Sequence, residues 1–465
     1  MSESSQFPLL LSYYGDDFTG SADVMEALES YGVATALFLD SPSKETVAKF
    51  RFIGPRKTSE TRIQSFGVAG ISRTMSPSQM AVELPSVFSQ IASVESQYFH
   101  YKICSTFDSS PSLGNIGTAT DLAMEVFHSR NVPLVVGAPS LGRFCVFGNL
   151  FARVEQKVFR LDRHPTMARH PVTPMGESDL REHLAILSER KVLHMDISKV
   201  EGVIEGDTLK EDPPEEGQFL LFDILEDRHL RAVGKWICEK RGSSTQVVVG
   251  SSGVEYAICG HLSEVGELKK SDAFCSEPAE LLIVLAGSAS PGTAAQIEHA
   301  IGLGFVDLRI NTAALVVPET RDEEIGRCVE EAYREVEAGR SPLLYAAKGP
   351  EDPAIGETAR VFSERSLEGR AGELIAKYQG EILMRLLSRA GRQRVLVAGG
   401  DTSGFATKAL GITALEILCP LAPGAPLCLG HSEDDATHGL EICLKGGQNG
   451  NHRFIESVLK GRLLA

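Results

Sequence analysis

Short unbroken apolar runs alternate with longer stretches of helical spacing along the 465-residue chain, and this alternation restricts the fold more than anything else in the sequence. The runs at 7–14, 33–39, 66–71, 98–103, 133–136, 219–223, 246–250, 281–286, 395–398 and 440–444 lack the polar alternation of a half-exposed strand. They read as strands buried on both faces. Helical spacing is expected over 22–30, 76–92, 116–127, 179–188, 321–338 and 364–390, and, after a loop over 287–293, through Ile301. Strands separated by helices require crossover connections, so the expected class is α/β, with mostly parallel sheets flanked by helices.

A length of 465 residues suits two or three domains. The composition shifts over 266–280, rich in Glu, Lys, Ser and Pro, which reads as a linker between a domain over 1–265 and a second over 281–465. A net charge of −16 argues against a nucleic-acid binder or a protein held on an anionic membrane. There is no apolar stretch of membrane-spanning length and no basic N-terminal leader, so a cytoplasmic protein is expected. The nine cysteines have no Cys-x-x-Cys spacing or companion His, and they read as reduced core thiols rather than metal ligands.

The polar residues at the predicted strand ends carry the chemistry. Asp16 and Asp17 follow the first strand and precede a helix, at the sheet edge where open α/β proteins bind ligands. Alone, the pair could cap the turn, bind a metal or act as a base. Arg73, Lys102 and Arg143 follow three further strands. With a parallel sheet these cations converge on the two carboxylates, a set suited to a small polyhydroxylated acid. Taken singly, each is an ordinary surface charge. His170, in the Pro-rich loop 169–175, is a further candidate, although a lone His before Pro is more often a packed loop residue.

In the second half, small residues follow buried strands three times: Gly287-Ser288-Ala289-Ser290-Pro291-Gly292-Thr293, Gly399-Gly400-Asp401-Thr402-Ser403-Gly404 and Lys445-Gly446-Gly447-Gln448-Asn449-Gly450. Such turns let backbone N–H groups approach a phosphate at a helix N-terminus. Neither Gly-x-x-x-x-Gly-Lys-Ser/Thr nor Gly-x-Gly-x-x-Gly occurs.

Together, Asp16-Asp17-Phe18-Thr19-Gly20, His170-Pro171-Val172-Thr173-Pro174-Met175, the Gly287-Ser288 loop and Gly399-Gly400-Asp401-Thr402-Ser403 resemble, in the same order, the four-carbon acid sugar kinases. This family, long a domain of unknown function, includes 3-oxo-tetronate, threonate and erythronate kinases and enzymes of apiose-derived acids. The resemblance implies an N-terminal sugar-acid-binding domain, a C-terminal ATP-binding domain and reaction in the cleft between them. ATP and Mg²⁺ are the implied cofactors, with no protein metal ligand assigned. Ser288, Gly399, Gly400, Asp401, Thr402, Ser403 and Gly446 or Gly447 are the implied nucleotide contacts, and Asp16, Asp17 and Arg73 the implied substrate side. Lys102, Ser105, Thr106, Arg143 and His170 complete the substrate candidates. Asp17 is favoured over Asp16 as the base because it lies nearer the helix start. Cys104-Ser105-Thr106-Phe107-Asp108-Ser109 departs from the Asp-Ser-Thr-Leu-Arg-Gly type of many relatives, which bears on the identity of the acid. Partners are a small sugar acid and, as an option, a second copy in a homodimer. The alternatives are an NAD-dependent sugar-acid dehydrogenase and a non-catalytic sugar-acid-binding protein.

Overall fold

A computed structural model describes residues 9–58, 60–169, 173–205, 217–271, 274–365 and 371–464. The chain forms two compact units, one of Met1–Arg51 and Thr61–Asp272, the other of Phe52–Glu60 and Ala273–Ala465.

In the N-terminal unit a wholly parallel sheet runs in the order Thr35–Phe38, Ser65–Ala69, Leu9–Gly15, Ser96–Lys102, Gln246–Gly250, Val132–Val135, Phe219–Phe222, Val192–Met195. The interior strands are buried along nearly their whole length, as continuous apolar runs demand. From Leu9–Gly15 the chain builds to one side as far as Thr35–Phe38. It then crosses to the other side at Ser96–Lys102. That reversal opens a crevice at the carboxyl ends of adjacent strands, where Asp16 follows one strand and Lys102 ends the next. Two glycines permit the close packing here. A Cβ at Gly67 would lie 2.0 Å from the Tyr13 ring, and one at Gly15 would lie 2.0 Å from the Ser21 hydroxyl. A small antiparallel sheet of Arg143–Val146, Asn149–Val154 and Lys157–Arg160 was not expected from the sequence.

In the C-terminal unit Val306–Arg309, Pro342–Tyr345, Leu282–Ala286, Arg394–Ala398 and Leu440–Lys445 run parallel, and Ala425–Ser432 and Ile412–Ala422 extend the sheet antiparallel. Leu282, Val284, Leu396 and Cys443 form its core with Ile297, Phe454 and Val458 from the covering helices. Ala286 pairs with Ala398 and Ala398 with Lys445, so the three small-residue loops leave the sheet side by side.

Many element boundaries follow local chemistry. Ile116–Phe127 begins where the Asn115 side chain accepts the Thr118 N–H, and Pro77–Ala92 begins on a Ser76/Gln79 capping box. The helix expected over 364–390 needs correction. Pro353–Glu364 ends there, and a separate helix, Ala371–Ala390, carries the apolar positions read from the sequence. Among the described residues no helix is long and apolar enough to cross a membrane. All nine cysteines are free thiols, six of them buried.

Candidate functional site

The Asp16–Asp17 pair is organised by one guanidinium. Arg73 lies on the short turn Ser72–Thr74 that follows the strand Ser65–Ala69. Its Nε and Nη2 donate to the two oxygens of Asp16 at 3.1 and 2.6 Å, and its Nη1 donates to Asp17 Oδ2 at 2.6 Å. The backbone secures the same geometry: Arg73 N–H donates to Asp16 O at 3.0 Å, and Asp16 N–H to Lys102 O at 2.9 Å. Gly114, at φ +59°, packs directly on the Arg73 backbone, where a Cβ would lie 2.6 Å from its carbonyl oxygen.

The two carboxylates differ in access. The Asp16 side chain is 3% exposed and that of Asp17 32%. Burial pushes the Asp16 carboxyl up, and the Arg73 charge opposes that shift. Asp16 raises Arg73 in turn, despite the guanidinium's own burial. Asp17 caps the helix Phe18–Ser30, its Oδ1 accepting the Gly20 N–H at 2.8 Å. Gly20 sits among the charges: a Cβ there would lie 2.6 Å from Asp17 Oδ1, 3.2 Å from Lys102 Nζ and 3.9 Å from Arg73 Nη2. Lys102 is buried, with Nζ 3.1 Å from Ile103 O and 3.6 Å from Asp23 Oδ2. Asp23 is fixed in turn by the Ser252 hydroxyl at 2.6 Å.

Arg143 stands on the far side of the loop after Lys102. Its Nη1 donates to Leu141 O at 3.0 Å, and its buried Nε has no partner among the described residues. Burial lowers Arg143, while Cys104 and Asp108 raise it. Burial likewise pushes the Cys104 thiol up to about 12, raised further by Asp108 and lowered by Arg73. The 104–108 loop therefore lies within the field of both guanidiniums. Thr106 is buried and donates to Asp108 Oδ1 at 2.8 Å, while Ser105 is half-exposed. Phe107 holds a φ of +57° with its ring buried against His183, backbone strain of the sort that persists where packing enforces it. Arg73 thus bonds both carboxylates, Lys102 stands beside Gly20 while facing Asp23, and Arg143 acts on Cys104 and Asp108 of the loop between them. His170 lies outside the described residues. Asp23 and Ser252 were missed, because nothing local in the sequence links residues 229 positions apart.

The C-terminal unit holds a cavity of about 410 Å³ where its three loops meet, within the range of small-molecule sites. Ser288, Gly399, Gly400, Asp401, Thr402 and Gly447 line it, while Ser403 is buried behind them and Gly446 is not part of the wall. Two helices, Pro291–Gly302 and Gly400–Ala409, point their N-termini at it. Glycine is required at several of these positions. A Cβ at Gly287 would lie 2.0 Å from Thr402 Oγ1, and one at Gly447 would lie 2.4 Å from Ser288 Oγ. Gly399 adopts φ +134°. Thr402 donates to Gln379 Oε1 at 3.2 Å, and Ser290 Oγ and Thr293 Oγ1 donate to Gly447 O at 2.5 and 3.1 Å. The opposite wall is apolar and small: Ala346, Ala347, Ala354, Ile355, Ala359 and Ala376. Among the described residues no group of three or more His, Cys, Asp or Glu is placed to hold a metal ion.

These two sites coincide with two matched domain families. Residues 11–258 match a sugar-binding N-terminal domain, and residues 283–455 a nucleotide-binding C-terminal domain. The chain belongs to this family of two-domain sugar-acid kinases. It is 39% identical over 461 residues to the 3-oxo-isoapionate kinase of Paraburkholderia graminis, covering 98% of this chain and 95% of that one. It is 28% identical over 457 residues to the 3-oxo-tetronate kinase of Pseudomonas savastanoi pv. phaseolicola, covering 97% of each. A crystal structure from Salmonella typhimurium LT2, described as a tRNA synthase, matches with a TM-score of 0.74 at 22% identity over 96% of this chain and 98% of that one. A Haemophilus influenzae protein of the DUF1537 family matches with a TM-score of 0.68 at 20% identity, over the same shares. Likeness at such identity speaks to fold alone. The expected class, α/β with mostly parallel sheets, and the expected kinase activity both hold, which sets aside the dehydrogenase and the non-catalytic binder.

Proposed function

We propose that the protein transfers the γ-phosphoryl group of ATP to a hydroxyl of a 3-oxo sugar acid, and that a branched acid of the isoapionate type is preferred over the straight four-carbon tetronates. The observation that carries the nucleotide half is the meeting of three glycine-rich strand ends and two helix N-termini at one cavity. The preference between acids follows the closer likeness to the relative named 3-oxo-isoapionate kinase, 39% against 28% identity.

On this reading the polyphosphate lies on the loops at Ser288, Gly399–Thr402 and Gly447, with the base against the alanine wall. The acid's carboxylate is held by Arg143, whose Nε lacks a partner among the described residues, and by Lys102. Asp17, the accessible carboxylate, accepts the hydroxyl proton as the acceptor oxygen bonds to the γ-phosphorus. The bond from that phosphorus to the bridging oxygen breaks, and ADP leaves with the electron pair. Asp16 is too buried to meet substrate and serves by fixing Arg73, which keeps Asp17 aimed. Ser105 and Thr106 bound the acid, and the 104–108 loop selects its shape. Asp401, the one carboxylate among the described residues lining the cavity, would hold a Mg²⁺ ion, which would supply charge neutralisation for the polyphosphate.

The test is ADP release over a panel of 3-oxo-isoapionate, 3-oxo-tetronate, threonate and erythronate. Turnover is expected to be highest with 3-oxo-isoapionate. A higher kcat/KM for 3-oxo-tetronate overturns the preference, and no acid-dependent ADP release overturns the proposal.

A further inference from the structure

Lys445 ends the strand Leu440–Lys445 and is only 1% exposed. Its Nζ donates to Thr293 Oγ1 at 3.2 Å, in the first turn of the helix Pro291–Gly302. That hydroxyl donates onward to Gly447 O, and the Lys445 carbonyl accepts the Gly399 N–H at 2.9 Å. The ammonium therefore lies directly behind the corner where the three loops join.

Among the described residues it has no carboxylate partner. Buried lysines are rare without one, since an unpaired charge loses its hydration for nothing in return. The same sheet shows the ordinary arrangement. Arg394, similarly buried, has Glu441 at 2.5 Å and also donates to the carbonyls of Val458, Leu459 and Glu277. Around Lys445 the helix N-termini at Ser290 and Gly399 add positive potential instead of relieving it. Burial lowers its ammonium to about 8, opposed by the Cys443 thiol two residues back on the strand. Such a site is complete only with an anion.

We infer that Lys445 is the charge-neutralising residue of the nucleotide site, its ammonium answering the polyphosphate from behind the Thr293–Gly447 corner. The inference rests on the ATP-binding reading above and gives a role to Lys445, which the sequence marked only as the first residue of the third small-residue loop.

Calorimetric titration at pH 8.5, in buffers of unlike ionisation enthalpy, tests it with ATP, ADP and adenosine. The wild type is expected to take up protons on binding ATP or ADP and none on binding adenosine, because the phosphates restore the lysine's charge. Lys445→Met is expected to bind adenosine as the wild type does. It is expected to bind ATP about 30-fold or more weakly, the lower bound for removing one partner of a buried charge pair, and without proton uptake. Lys445→Arg, always charged, recovers part of the affinity, again without uptake. Equal ATP affinity and equal uptake in Lys445→Met overturn the inference and leave the nucleotide reading standing. A wild type that binds neither ATP nor ADP overturns both. Should Lys445→Met fail to fold, the uptake by the wild type decides alone: no uptake with ATP overturns the inference.

Discussion

At the scale of single residues, Asp16 and Asp17 have the same side chain and opposite access. Asp17→Asn keeps the helix cap, since an amide oxygen accepts the Gly20 N–H equally well, but it removes the proton acceptor. We expect kcat to fall about 10²- to 10⁴-fold with ATP affinity unchanged, measured by coupled ADP release. Asp16→Asn instead leaves Arg73 half-paired. It should cost on the order of 3 kcal/mol of stability in denaturant melts and raise KM for the acid. Asp16 and Asp17 were legible from sequence as a pair at a strand end. Their division of labour was not, because it depends on which carboxylate the 72–74 turn covers. Lys445 was read only as the start of the third small-residue loop, because nothing local in the sequence says that the fold buries its ammonium. It also gives a pH signature. Its pKa is lowered in the folded protein, so between about 8 and the ordinary lysine range the unfolded chain binds the extra proton and the native one does not. The stability of the nucleotide-free protein relative to Lys445→Met should therefore rise as pH increases from 8 to 10. A flat difference in melts across that range would contradict this.

At the scale of elements, two aspartates act as junctions. Asp223, fully buried, accepts N–H groups from Phe147, Gly148 at 3.0 Å and Ile197 at 3.0 Å, and faces His194 Nε2 at 2.9 Å. It ties the turn between Arg143–Val146 and Asn149–Val154 to the start of the helix Ile197–Ile204. Asp223→Ala strands several buried donors at once. A loss of about 3 kcal/mol or more is expected, with weakened acid binding because Arg143 begins the affected hairpin. Asp352 caps the helix Pro353–Glu364, a wall of the nucleotide cavity, and takes both Arg309 nitrogens at 2.9 and 3.0 Å. The Arg309 hydrogen bonds hold its carboxyl well below the usual range. The stability this gives is present above about pH 4 and is lost as pH falls further, so the advantage over Asp352→Asn should shrink in acid melts.

Strand positions and the helix starts near Ser76 and Ile116 were readable because the residues that decide them are local. The hairpins of the small antiparallel sheet were not, since strands of four to six residues are too short to establish a period.

At the scale of the whole molecule, a sugar-binding and a nucleotide-binding domain occupy one chain, and the function proposed above puts each ligand at its own domain's strand ends. Each ligand should protect only its own loops. Saturating ATP is expected to slow amide exchange at 287–293, 399–403 and 445–447, and to stabilise that unit by about 2.7 kcal/mol at a hundredfold excess over Kd. The sugar acid should do so at 16–20, 72–74 and 102–108. Protection by ATP confined to the second set of loops would reverse the assignment.

The C-terminal unit is not one continuous stretch: it includes Phe52–Glu60, whose Ile53 and Gly54 N–H groups donate to the buried Glu416 carboxylate at 3.0 and 2.5 Å. During synthesis this segment leaves the ribosome hundreds of residues before the glutamate that holds it. The unit therefore cannot close co-translationally on its own half, and a fragment begun at residue 273 will carry an orphaned acid where a loop should sit.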